Sequence, residues 1–165
     1  MIGKIKPENM PIKKYTSEEA LPMVIKLQIN NFSVLRVSVN PCSQADILYW
    51  SAFLKMRLSE SMLKPCQANL MGFLGEGVPV KGYIDLDTTF GKGGNTKMIK
   101  VRYLVVDSSS AYNVVIGRPA LKDLKAVISV ADLSMEYPVG DGKVGVVEAD
   151  LEMAKKCHEM APYTI

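Results

Sequence analysis

Residues 23–39 read MVIKLQI, then Asn30-Asn31, then FSVLRVSV. Apolar and polar side chains alternate along both arms, the period of a strand with one face inward. The paired asparagines tolerate the tight backbone of a turn, so the segment reads as a hairpin. The same grammar returns downstream. GYIDLDTTF (82–90) and KMIKVRYLVVD (97–107) flank the glycine-rich GKGGN, and VVIG (114–117) is a short, wholly apolar strand. AVISV (126–130), LSMEYP (133–138) and VGVVEA (144–149) are separated by Ala131-Asp132 and by DGK. Many short strands with turn signals between them predict a mainly β domain, closed or sandwich-like. A further strand is expected over ANLMGF (68–73).

Helices are few in this reading. ADILYWSAFLKMRL (45–58) carries apolar residues at helical spacing, with Ser43 or Asp46 placed to cap its start. RPALKDL (118–124) gives one or two turns. DLEMAKKCHEMA (150–161) is amphipathic, with Leu151, Ala154 and Cys157 or His158 inward.

At 165 residues, 48% hydrophobic and 22% charged, the chain has the size and balance of one globular domain. Residues 1–20 contain Pro7 and Pro11 and no apolar period, so they read as a flexible lead-in. A domain follows over 21–148, then a C-terminal helix and tail over 149–165. Lys and Arg number 20 against 17 acidic residues. Part of that excess is Lys4, Lys6, Lys13 and Lys14 in the lead-in, so the charge implies no nucleic-acid partner. Three separated cysteines with one histidine make no metal set, and no cofactor motif is present. GKGGN lacks the strand–loop–helix context of a phosphate cradle. The cysteine pattern and the absence of long apolar runs predict an intracellular protein, cytoplasmic or nuclear, neither secreted nor in a membrane.

The ordered set RVSVNPCSQADILYW, MGFLGEGVPVKGYIDL and YLVVDSSSAYNVVIGRPAL resembles the retropepsin-like aspartic protease domain of plant Ty3/gypsy-type retrotransposon polyproteins, over residues 21–148. The resemblance implies a single-lobe closed β-barrel with one or two short helices. It also implies a homodimer, each chain contributing one catalytic loop, and a peptide-sized groove. By the same likeness Gly72, Phe73, Leu74, Gly75, Glu76 and Gly77 form the flap over that groove. Ile116, Gly117 and Arg118 pack under the catalytic loop, with Asp46 a partner for Arg118.

The loop itself departs from the family. Aligned on Ala45-Asp46-Ile47-Leu48, Asn40 stands where the family has its catalytic Asp, Pro41 where it has a Thr-like residue, and Cys42 where it has Gly. Gln44 replaces a second Ser. Hydrolysis of this type needs two carboxyl groups that share one proton across a water. An amide has no proton to exchange in that range. Pro41 has neither hydroxyl nor N–H, and Cys42 adds a side chain where glycine lets the backbone approach. The loop is therefore expected not to catalyse. Asp46 is assigned to capping, Asp85 and Asp87 to the solvent face of a strand, and Asp107 to a turn. Cys42 is read as a buried, inert thiol, since His158 is the one histidine and lies in a distant helix. The alternatives are a peptide-binding or dimerisation module on the same fold, or a weak endopeptidase active only beside an intact copy.

Overall fold

The structure, a computed structural model, describes residues 22–66 and 79–160. The strand expected at 68–73 and the flap residues Gly72–Gly77 lie outside these.

The hairpin forms as its alternation requires. β1 (Met23–Ile29) pairs antiparallel with β2 (Phe32–Val39), and Asn30 turns with φ 52°. β3 (Asp46–Tyr49), β4 (Val80–Phe90), β5 (Lys97–Val106) and β6 (Val114–Ile116) complete a closed barrel in the order β1-β2-β6-β3-β5-β4. Gln28↔Thr89 and Ile29↔Thr88 close it. β2 runs parallel to β6 and β3 parallel to β5; the other neighbours are antiparallel.

A second sheet, β7 (Val127–Ser129), β8 (Ser134–Gly140) and β9 (Lys143–Glu148), follows α2 (Arg118–Leu124). Its inner face joins the barrel core through Met135, Tyr137 and Val147. Tyr137 meets Phe90 edge-on, with ring centroids 6.4 Å apart. The fold is thus mainly β with a closed barrel and short helices, as expected.

One predicted element changes type. The helix expected over 45–58 is strand β3 followed by α1 (Trp50–Lys55), which has no side-chain cap. β3 lies between β5 and β6 with Ile47 and Leu48 fully buried. A strand buried on both faces loses its polar alternation, and its short apolar run then reads like part of a helix.

The C-terminal helix α3 (Leu151–Met160) is capped by Asp150, whose Oδ1 accepts from Met153 N at 3.0 Å. Ala154 and Cys157 face inward and Ala154 packs with Val24, but Leu151 is 49% exposed and His158 is exposed. Leu151 is the first residue after the cap, and its side chain stands clear of the buried stripe formed by Ala154 and Cys157.

Candidate functional site

β2 ends at Val39, and its parallel partner β6 carries the chain under the loop that follows. Asn40 N donates to Ile116 O at 2.8 Å, continuing the β2–β6 ladder by one residue. The loop then closes on itself. Asn40 Oδ1 accepts from Cys42 N at 2.9 Å, and Asn40 O accepts from Ser43 N at 3.1 Å. The amide is engaged as a turn-former, the local role for which Asn is suited. Ser43, fully buried, donates its hydroxyl to Ala45 O at 2.6 Å.

From below, Ile116, Gly117 and Arg118 brace this loop. Arg118 N donates to Ser43 O at 2.9 Å, and Arg118 Nε donates to Pro41 O at 3.3 Å. Gly117 lies so close that a Cβ there would stand 2.3 Å from Ala45 O and 2.9 Å from Ser43 O. Only glycine fits, because backbone atoms cannot swing aside.

Asp46 departs from both of its expected roles. It neither caps α1 nor pairs with Arg118. Its side chain accepts from Gly117 N at 2.7 Å and from Ala120 N at 3.2 Å, while the residue is 3% exposed. It therefore caps α2 across the fold, satisfying N–H groups that a helix start leaves without partners. Burial pushes its carboxyl up to about 7, while the two backbone donors pull the other way. A shift of that size often marks a catalytic acid. Here both oxygens are occupied by backbone N–H groups and sealed from water, so the carboxyl is structural.

Asp85, Asp87 and Asp107, the other acids weighed from the sequence, stand elsewhere. Asp85 is bound by Arg102, Nε–Oδ1 2.9 Å, and this hydrogen bond holds its carboxyl below the ordinary range. Asp87 lies 3.8 Å from Lys100, and both pairs sit on the outer face of β4 and β5. Asp107 N donates to Pro79 O at the end of β5. Cys42 is exposed, not buried as expected, because the turn points it away from the barrel; the buried cysteine is Cys157. No group of metal-ligating side chains occurs among the described residues, and no helix among them is long and apolar enough to cross a membrane.

Sequence reasoning missed Asn113. In β2, Leu35 and Arg36 together face the single residue Lys26, a β-bulge with Arg36 at φ 55°. Asn113 binds both bulge carbonyls: its Nδ2 donates to Leu35 O at 2.8 Å and its N to Arg36 O at 2.9 Å. Nothing in the local pattern of SSSAYN marks this beyond an ordinary polar turn.

No protein-family model matches the chain, and no curated protein does. Among solved structures it is similar to the retroviral protease-like domain of Ddi1 from Leishmania major, with TM-score 0.59 and 16% identity, covering 79% of this chain and 94% of that one. It is also similar to a retropepsin-like aspartic protease from Rickettsia conorii, with TM-score 0.47 and 14% identity over 75% of this chain and 80% of that one. The EIAV protease complexed with the inhibitor HBY-793 gives TM-score 0.44 and 22% identity over 66% and 92%. The fold is retropepsin-like.

Proposed function

We propose that this chain is a retropepsin-like aspartic protease domain that no longer hydrolyses peptides, a fragment of a plant Ty3/gypsy-type retrotransposon polyprotein. The observation that carries the reading is the state of residue 40. At the end of β2, where the aligned family motif has its Asp, Asn40 spends its side-chain oxygen on Cys42 N within the loop. Neither Asn40, Pro41, Cys42, Ser43, Gln44 nor Ala45 offers a carboxyl group, and the nearby acid Asp46 is spent on the backbone N–H groups of Gly117 and Ala120. An amide facing its counterpart in a dimer cannot hold the shared proton on which this hydrolysis depends.

A binding or dimerisation role on the same fold is the second reading. It is favoured by the brace beneath the loop: Asp46, Gly117 and Arg118 make ordered backbone contacts there although the loop carries no carboxyl group. In this role the domain forms a homodimer and holds a peptide without turnover.

The test is incubation of the purified chain with an unstructured polypeptide at mildly acid pH, read by mass spectrometry. No cleavage is expected. Cleavage abolished by an aspartic-protease inhibitor would refute the inactive reading and favour residual endopeptidase activity. Asn40→Asp alone should restore little, since Pro41 and Cys42 remain. The triple change N40D/P41T/C42G is the variant expected to regain turnover.

A further inference from the structure

The β2 bulge builds a second site, away from the loop. Beside the out-of-register Leu35 and Arg36, an open cavity of about 440 Å³ lies between β2, α1 and α3. Val34, Ala52 and Met56 are its buried floor, while Phe32 and Leu35 stand at its mouth, 37% and 40% exposed. Strained residues and bulges re-aim side chains where a site needs them. Here Asn113, itself a lining residue, binds both bulge carbonyls and fixes that geometry.

Among the described residues, the charges lining the cavity all have one sign. Lys55 of α1, Lys156 of α3 and Arg36 line the apolar space, and among the described residues no acidic side chain does. Lys55 and Lys156 are exposed and form no ion pair among the described residues. Arg36 reaches Asn113 Oδ1 at 3.3 Å. An apolar floor with cations on its border complements a molecule with an apolar body and an anionic head. The volume falls within the roughly 300–1,000 Å³ typical of small-ligand pockets.

The geometry points to a binding site for a small amphipathic carboxylate, an aliphatic chain with one anionic end, held on Val34, Ala52 and Met56 and steered by Lys55 and Lys156. The site does not depend on the state of the residue 40 loop.

The experiment titrates the full chain with dodecanoate below its micellar concentration, by calorimetry, beside dodecanol and dodecyltrimethylammonium. Saturable binding of one dodecanoate per chain is expected, weaker for the alcohol and weakest for the cation. K55E/K156E, both at exposed positions, should weaken dodecanoate about tenfold or more, the scale of losing charge-assisted contacts, and reverse the head-group preference. Leu35→Asp, at the mouth, should weaken dodecanoate while the circular dichroism stays unchanged. Absence of saturable binding, equal affinity for the three head groups, or indifference to the charge reversal would overturn the proposal. Displacement of dodecanoate by lower concentrations of an alternating Glu-Leu peptide would overturn it too, assigning the groove to a protein partner.

Discussion

Replacing Asp46 by Asn sets burial against hydrogen bonding at one atom pair. The wild-type carboxyl is 3% exposed and accepts from Gly117 N and Ala120 N. Asn keeps one acceptor and turns an NH₂ group toward the second N–H. One buried donor then has no partner, at a cost of about 1–3 kcal/mol. Against this stands the charge. Burial raises the folded-state pKa from 3.8 to about 7. The folded chain therefore keeps a proton that the unfolded chain gives up. The stability this supplies is complete below 3.8 and is lost as pH rises through about 7. A rise of that size corresponds to about 4 kcal/mol. Asn carries no such dependence. Wild type should thus be the more stable protein at about pH 4, by about 1–3 kcal/mol, and Asp46→Asn the more stable at about pH 8, with a crossing between. Urea unfolding followed by circular dichroism across that range measures the difference directly. Asp85, held low by its Arg102 hydrogen bond, adds a dependence of opposite sign on the acid side, which cancels between the two proteins. A gap that stays constant, or widens in favour of wild type as pH rises, would refute the reasoning. It would mean that the two N–H donors outweigh desolvation and keep the buried carboxylate charged.

Gly117→Ala should cost about 3 kcal/mol or more, since its Cβ would press on two backbone oxygens; thermal melting checks it, and a loss under about 1 kcal/mol would show that the loop can yield. Tyr103 and Thr88 share a buried hydrogen bond of 2.8 Å, and Thr88 also reaches Leu86 O. Thr88→Val, which strands the tyrosine hydroxyl, should therefore destabilise by about 1–3 kcal/mol, and Tyr103→Phe by about 1 kcal/mol; equal losses by denaturant titration would contradict this. Arg118→Ala removes one exposed contact to Pro41 O and should cost under about 1 kcal/mol. Amide exchange at Cys42 and Ser43 should rise while global stability holds.

Legibility followed the range of the interaction. The alternation of Ile84 and Leu86 with Asp85 and Asp87 was readable because a strand at the surface writes its burial into adjacent residues. So was the hairpin at Asn30, where two residues carry the whole turn. β3 was not, since a strand covered on both faces has no polar half to display. Asp46 acts as a cap, but of a different helix from the one expected, because the N–H groups it accepts from lie 71 and 74 residues further along the chain, just past β6. Arg118 was placed beneath the loop, yet its partner is a carbonyl, which any residue supplies and no sequence advertises.

The amino-acid string alone determined that no carboxyl group occupies positions 40–45 and that short alternating strands would build the body. Those are properties of residue identity and of neighbours one or two apart. Tertiary structure decided what Asn40 does with its amide, which helix Asp46 caps, and that a bulge tied by Asn113 lines a groove bordered by Lys55 and Lys156. Each of these joins residues distant along the chain, and their meeting is fixed by barrel closure, not by local preference.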